Sequence, residues 1–139
     1  PIQYIHSSAS DFLKKSNEKY DVIIAFEVLE HIEMIDNLIY QISEKIKPGG
    51  QLILSTINRN IKSYFKAILA AEYILDVAPQ GTHRYDWFIK PSEIIRECQK
   101  SKLKLIHKSG LGFNPINNSF YLTKDMSTNY FLTFKHEIH

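Results

Sequence analysis

Three side chains able to hold a proton or a metal ion stand close together in the stretch Asp21-Val-Ile-Ile-Ala-Phe-Glu-Val-Leu-Glu-His31: Glu27, Glu30 and His31. Two carboxylates and an imidazole suit a hard divalent ion such as Mg²⁺, Mn²⁺ or Fe²⁺, and Zn²⁺ less specifically. With open coordination positions, such an ion can hold two neighbouring oxygens of a substrate and lower the pKa of a hydroxyl. If the chain turns helical at Glu27, the spacing i, i+3, i+4 puts all three on one face. The blander reading is a solvated helix start, where glutamates favour the positive end of the dipole. Spacing alone favours that reading, because Glu-x-x-Glu-His is short and common.

The element that must position them is the run Val22 to Phe26, which has no polar residue. Such a run fits a strand covered on both faces in a parallel sheet. In an open α/β sheet, ligands bind outside the carboxyl ends of the strands, where these three groups fall. Ile32, Ile35, Leu38, Ile39, Ile42 and Ile46 recur at helical spacing and predict an amphipathic helix over Met34 to Lys47. Lys45 and Lys47 favour its negative end, and Pro48-Gly49-Gly50 is expected to stop it. A phosphate loop is not expected there, because the turn ends a helix instead of opening one. Gln51 to Thr56 reads as a second strand, so the three elements predict a right-handed βαβ unit.

Around this unit, Ile2 to His6 reads as a short strand and Asp11 to Glu18 as a loop or helical turn. Beyond Asn58-Arg59-Asn60, Ile61, Tyr64, Phe65, Ile68 and Leu69 form one helical stripe, so residues 58–81 are expected to be an amphipathic insertion with a helix over Ile61 to Val77. Arg59, Lys62 and Lys66 crowd its start, where positive charge opposes the dipole. Packing on its own domain and contact with a membrane surface or an apolar substrate both remain open. Ser92, after Pro91, is expected to cap a helix reaching Lys100. Leu103 to Lys108 reads as a strand, Gly110-Leu-Gly112 and Asn114-Pro115 as a loop, and Asn129 to Phe134 as a last strand antiparallel to the previous one. The lone G-x-G at Gly110 lacks a third glycine and a following helix, so it is not a dinucleotide fingerprint. His83, in a polar loop, reads as a surface histidine before a general base.

The 139 residues suffice for one ordinary domain, and 44% hydrophobic with 23% charged is the composition of a soluble globular protein. A net charge of +2 without a clustered basic stripe argues against nucleic acid as a partner. The single cysteine, Cys98, rules out an internal disulfide, is compatible with a reducing cytosol, and reads as a core thiol beside Ile94 and Ile95. No apolar run approaches the ~18 residues of a membrane span. The chain enters at Pro1 directly into Ile2-Gln-Tyr-Ile5, which predicts that the amino-terminal part of a larger domain precedes it.

The segments Asp21 to His31, Ile46-Lys-Pro-Gly-Gly50 and Ser55-Thr-Ile-Asn-Arg-Asn60 resemble the second half of a class I S-adenosylmethionine-dependent methyltransferase. Ala71-Glu-Tyr-Ile-Leu75, Gly81-Thr-His83, Phe88-Ile-Lys-Pro91, Gly110-Leu111, Asn114-Pro115 and Asn129-Tyr130 narrow the resemblance to the ubiquinone-biosynthesis O-methyltransferases, from Ile2 to about Phe134. The resemblance implies an α/β fold, a Rossmann-like sheet of seven strands parallel except for the last. Residues 1–139 would be the carboxyl-terminal portion of that domain, lacking its first strands, its glycine-rich loop and the acidic residue closing the second strand. It implies that Phe26 contacts S-adenosylmethionine and that Glu27, Glu30 and His31 hold a divalent ion, expected to be Mg²⁺, which reverses the reading from spacing. No catalytic base is implied. The expected reaction is O-methylation of a catechol or phenol hydroxyl on a polyprenylated ubiquinone precursor. A truncated non-catalytic remnant and a methyltransferase of another small substrate are the alternatives. The insertion implies contact with an anionic membrane, so the expected place is the cytoplasm or the periphery of the inner membrane. Two missing strands would lie between Ile2–His6 and Val22–Phe26, so another chain or the absent segment is expected to complete the sheet.

Overall fold

The structure, a computed structural model, describes residues 1–59, 88–114 and 116–137. The apolar run becomes β1 (Tyr20–Phe26) and the helical stripe becomes α2 (Ile35–Lys45), which buries Leu38, Ile39 and Ile42. Ahead of them lies α1 (Ala9–Lys15), begun by Ser8, whose hydroxyl accepts the Asp11 N–H at 3.1 Å. After α2 comes β2 (Ile46–Ile57), parallel to β1. Then follow α3 (Pro91–Lys100), β3 (Leu103–Asn114), β4 (Ser119–Thr123) and β5 (Asn129–His136).

The five strands make one sheet in the order β1-β2-β5-β3-β4. β1 and β2 pair in parallel; β5 is antiparallel to both β2 and β3, so β3 runs in the direction of β1 and β2, and β4 is antiparallel to β3. The last strand is thus wedged between β2 and β3. Because side chains alternate along a strand, one face carries Ala25, Leu52, Leu54, Tyr130, Leu132 and Phe134, all buried with Leu13 of α1, the α2 stripe and Ile94 and Cys98 of α3. The opposite face carries Val22, Ile24 and Phe26 of β1 and Phe113, Phe120 and Leu122 of the β3–β4 hairpin, all exposed. An apolar groove of about 370 Å³ follows β1, lined by Phe12, Tyr20, Val22, Ile24 and Val28. Among the described residues β1 is the sheet's edge and pairs on one side only.

Several expectations are corrected. Ile2 to His6 is not a strand: Ile2, Tyr4 and Ile5 are exposed and pair with no strand among the described residues. For Asp11 to Glu18 the helical alternative holds, though α1 begins earlier, at Ala9, and ends at Lys15. Pro48-Gly49-Gly50 does not stop the chain between helix and strand. It forms a bulge inside β2, where the register passes from Tyr20↔Ile46 to Val22↔Gln51 and Gly49 takes φ 79°, a conformation suited to glycine. Ser92 does not cap α3. Lys90 holds the cap position, and its N–H donates to Glu93 Oε2 at 2.9 Å. Gly110-Leu-Gly112 and Asn114 are not loop but the outer half of β3, drawn into the sheet by pairing with β4 and, as far as Leu111, with β5.

The helix expected over Ile61 to Val77, the bulk of the 58–81 insertion with Lys62 and Lys66, and His83 lie outside the described residues. The two ends flanking that stretch are held together. Ile89 N–H donates to the Ile57 carbonyl at 3.2 Å, and the Arg59 guanidinium pairs with the Glu93 carboxylate. Asn58 is tied to the residues ahead of β5, its N–H donating to Thr128 O at 2.7 Å and its side-chain amide to Met126 O at 2.8 Å.

Candidate functional site

β1 ends abruptly at Phe26 because Glu27 adopts φ 51°, a left-handed conformation uncommon for a residue with a side chain. Its N–H still donates to the Ser55 carbonyl at 3.0 Å, so the turn is anchored to β2. A short 3-10 turn, Leu29–His31, follows. The chain therefore does not turn helical at Glu27, and the single helical face expected for Glu27, Glu30 and His31 is absent. The left-handed Glu27 interrupts the chain before a helix can start, and the 3-10 turn that follows buries Leu29.

The two carboxylates nevertheless meet at the carboxyl end of β2. Glu27 Oε1 accepts the Ser55 hydroxyl at 2.7 Å, and Glu30 Oε2 accepts the Thr56 hydroxyl at 2.8 Å. Asn129, at the start of β5, lies near the Glu27 carboxylate and favours its ionised form. Glu30 is only 6% exposed. Partial burial, aided by the charge of Glu30 and a hydrogen bond with it, pushes the Glu27 carboxyl above its ordinary proton affinity against the opposing pull of Ser55 and Asn129.

As hard oxygen donors, facing carboxylates fit a divalent cation, which would offset their repulsion. His31 is exposed, and among the described residues no three His, Cys, Asp or Glu are gathered so as to hold one metal ion. The fit therefore extends to Glu27 and Glu30 and stops short of His31.

Phe26 lies at the same strand end, 48% exposed, with its ring edge-on to Phe131 (centroids 5.4 Å apart, 81° between planes). A fixed, half-open aromatic ring at the carboxyl edge of a parallel pair fits contact with a flat ligand such as a purine. Beside the 3-10 turn, a cleft of about 640 Å³ opens between the start of α2 and α3, walled by Glu30, His31, Asp36, Arg59 and Glu93. Cys98 is buried on α3, its thiol pushed up to about 12 by burial and by the charge of Glu97, which makes it a core thiol and no nucleophile.

Ser55, Thr56 and Asn129 stood in segments that carried the resemblance, but neither they nor Glu93 were read as site residues. Ser55-Thr56 did leave a signal, two hydroxyls closing the apolar run Leu52-Ile-Leu54 at the end of a strand where a ligand is expected.

A family profile for a methyltransferase domain matches residues 1–108. The ubiquinone biosynthesis O-methyltransferase of Coxiella burnetii (strain RSA 331 / Henzerling II) is 40% identical over 127 residues, 91% of this chain and 54% of that protein. Its counterpart from Leptothrix cholodnii is 38% identical over 136 residues, 98% of this chain and 58% of that one. The chain thus spans about half the length of the curated relatives it matches. Among solved structures, a possible histamine N-methyltransferase from Thermotoga maritima superimposes with a TM-score of 0.62 at 11% identity, covering 90% of this chain and 61% of that one. The N-methyltransferase NodS from Bradyrhizobium japonicum, in complex with S-adenosyl-L-homocysteine, superimposes with a TM-score of 0.55 at 14% identity, covering 91% and 51%. At such identities the likeness is one of fold: the sheet and its helices follow the α/β class I methyltransferase plan.

Proposed function

This chain belongs to the methyltransferase-domain family, and from that premise we propose that it is the carboxyl-terminal portion of an S-adenosylmethionine-dependent O-methyltransferase acting on a catechol or phenol hydroxyl of a polyprenylated ubiquinone precursor. The observation that carries this reading is the placing of Phe26 beside two carboxylates at the carboxyl edge of the parallel pair, in a chain 36–40% identical to proteins named ubiquinone biosynthesis O-methyltransferase. S-Adenosylmethionine supplies the methyl group when bound. Transfer would turn the acceptor hydroxyl into its methyl ether, with the proton passing to solvent and the cofactor leaving as S-adenosylhomocysteine. Phe26 supports cofactor placement. Glu27 and Glu30 support a divalent cation, Mg²⁺ in the leading form of the reading, where it would favour the phenolate. His31 joins them only if the 3-10 turn rearranges.

The bare edge of β1 and the groove beside it support completion of the sheet by a further strand, from a preceding segment of the same polypeptide or from another chain. Titration calorimetry with S-adenosylmethionine tests this on the 139-residue chain, alone and mixed with the amino-terminal half of a curated relative. Binding, and methyl transfer to a prenylated catechol, are expected only in the mixture. Micromolar binding by the isolated monomer would overturn the reading. Glu30→Ala should lower transfer and metal affinity together, and full activity of that variant after chelator treatment would remove the cation from the scheme.

Peripheral attachment to an anionic bilayer belongs to the same proposal, resting on the sequence around Arg59, Lys62 and Lys66. Each cation near such a surface adds about 1 kcal/mol. Among the described residues no helix is long and apolar enough to cross a membrane. Glutamine at all three positions should weaken liposome sedimentation, more at low salt than at high. Unchanged sedimentation would assign that stretch to packing within its own domain.

A further inference from the structure

The last turns of β2 contain an arrangement that neither the strand nor the core requires. Consecutive residues of a strand point to opposite faces. Ser55 stands in register with Phe26 and Phe131, on the bare face, and Thr56 stands in register with Tyr130, on the buried one. Both residues are buried, and both have backbone partners in the ladder. Yet each spends its hydroxyl on a glutamate of the loop leaving the neighbouring strand: Ser55 on Glu27 at 2.7 Å, Thr56 on Glu30 at 2.8 Å. The loop is thus gripped from two sides of one strand end. The Glu27 N–H bonded to the Ser55 carbonyl fixes the backbone of the same grip. Thr56, β-branched and enclosed, has little rotamer freedom with which to release Glu30. Neither hydroxyl is among the apolar side chains that build the core, and each is directed to a carboxylate of the neighbouring loop.

We infer that Ser55 and Thr56 are positioning residues, which set the separation and direction of the Glu27 and Glu30 carboxylates for the acceptor side of methyl transfer; this rests on the function proposed above. Neither hydroxyl needs to touch substrate. Outer-shell partners of this kind typically alter affinity or turnover about 10- to 100-fold when removed.

The test uses the complemented assembly described above, with Thr56→Val and Ser55→Ala to delete the donors and Thr56→Ser to restore one. Circular dichroism and thermal melting first establish that each variant folds. Thr56→Val and Ser55→Ala are expected to lower kcat for a prenylated catechol about 10- to 100-fold with KM for S-adenosylmethionine unchanged, and Thr56→Ser to recover most of the loss. In parallel, Mn²⁺ titration of the same proteins should show the donor-deleted variants binding more weakly and Thr56→Ser binding like the parent. Folded Thr56→Val and Ser55→Ala proteins with parental kcat and parental Mn²⁺ affinity would overturn the inference. So would a Thr56→Ser variant as impaired as Thr56→Val, because then shape and not the donor matters. If the parent assembly transfers methyl but binds no Mn²⁺, the cation reading fails and the kcat contrast decides. If it binds Mn²⁺ but methylates no catechol, the proposed substrate fails and the Mn²⁺ contrast decides.

Discussion

The hydroxyl of Tyr130 donates to the carbonyl oxygen of Ile89 at 2.8 Å in the buried interior. It ties the middle of the sheet to the strand-like lead into α3, and the same burial raises the tyrosine far above its ordinary proton affinity, so it remains a donor at all ordinary pH. Tyr130→Phe keeps the ring but removes the bond. It should cost about 1–2 kcal/mol, read as a lower urea midpoint with an unchanged slope. An unchanged midpoint would mean that the bond is replaced at no loss.

The Glu27 carboxyl binds its proton more tightly in the folded chain than its ordinary value of 4.5 implies. Where the folded state holds more protons than the unfolded one, stability falls as pH rises. The loss therefore begins near the ordinary carboxylate range and is complete above the raised folded value. Glu27→Gln should melt higher than the parent at neutral pH, with the gap closing as pH falls below 4.5. A gap independent of pH would assign the effect to packing.

At Gly110 a β-carbon would stand 1.8 Å from the carbonyl oxygen of Asp125, which is backbone and has nowhere to go. At Gly112 the obstacle is the exposed Tyr121 ring, at 2.4 Å, which can swing away. Gly110→Ala should therefore cost about 1–3 kcal/mol or more, and Gly112→Ala clearly less. Equal denaturation midpoints for the two variants would refute the distinction.

Cys98 should resist alkylation by iodoacetamide in the native chain and react fully in guanidinium chloride, because its thiol is both buried and pushed up to about 12. Rapid native labelling would show that α3 opens away from the sheet.

The parts legible in the sequence were those governed by local periodicity. The unbroken run before Phe26 and the isoleucine stripe of α2 fixed a parallel unit and placed its carboxyl edge, where Phe26, Glu27 and Glu30 do assemble. What failed was governed by distant partners. Pro48-Gly49-Gly50 has the local chemistry of a stop, but β1 alongside makes it a bulge. Gly110 and Gly112 look like loop until β4 pairs with them. Ile2 to Ile5 has the composition of a strand but pairs with none of the described strands. The hydroxyl grip on Glu27 and Glu30 crosses 28 and 26 residues of sequence, beyond the reach of any spacing rule.

The chain leaves the sheet at Ile57 to Arg59 and returns at Phe88 to Glu93 through a single neck, closed by the Ile89–Ile57 hydrogen bond and the Arg59–Glu93 ion pair. Such a neck fixes the end of β2 against the start of α3 by one backbone bond and one ion pair, so the wall that Arg59 and Glu93 give the cleft is set by the same two residues that close the joint.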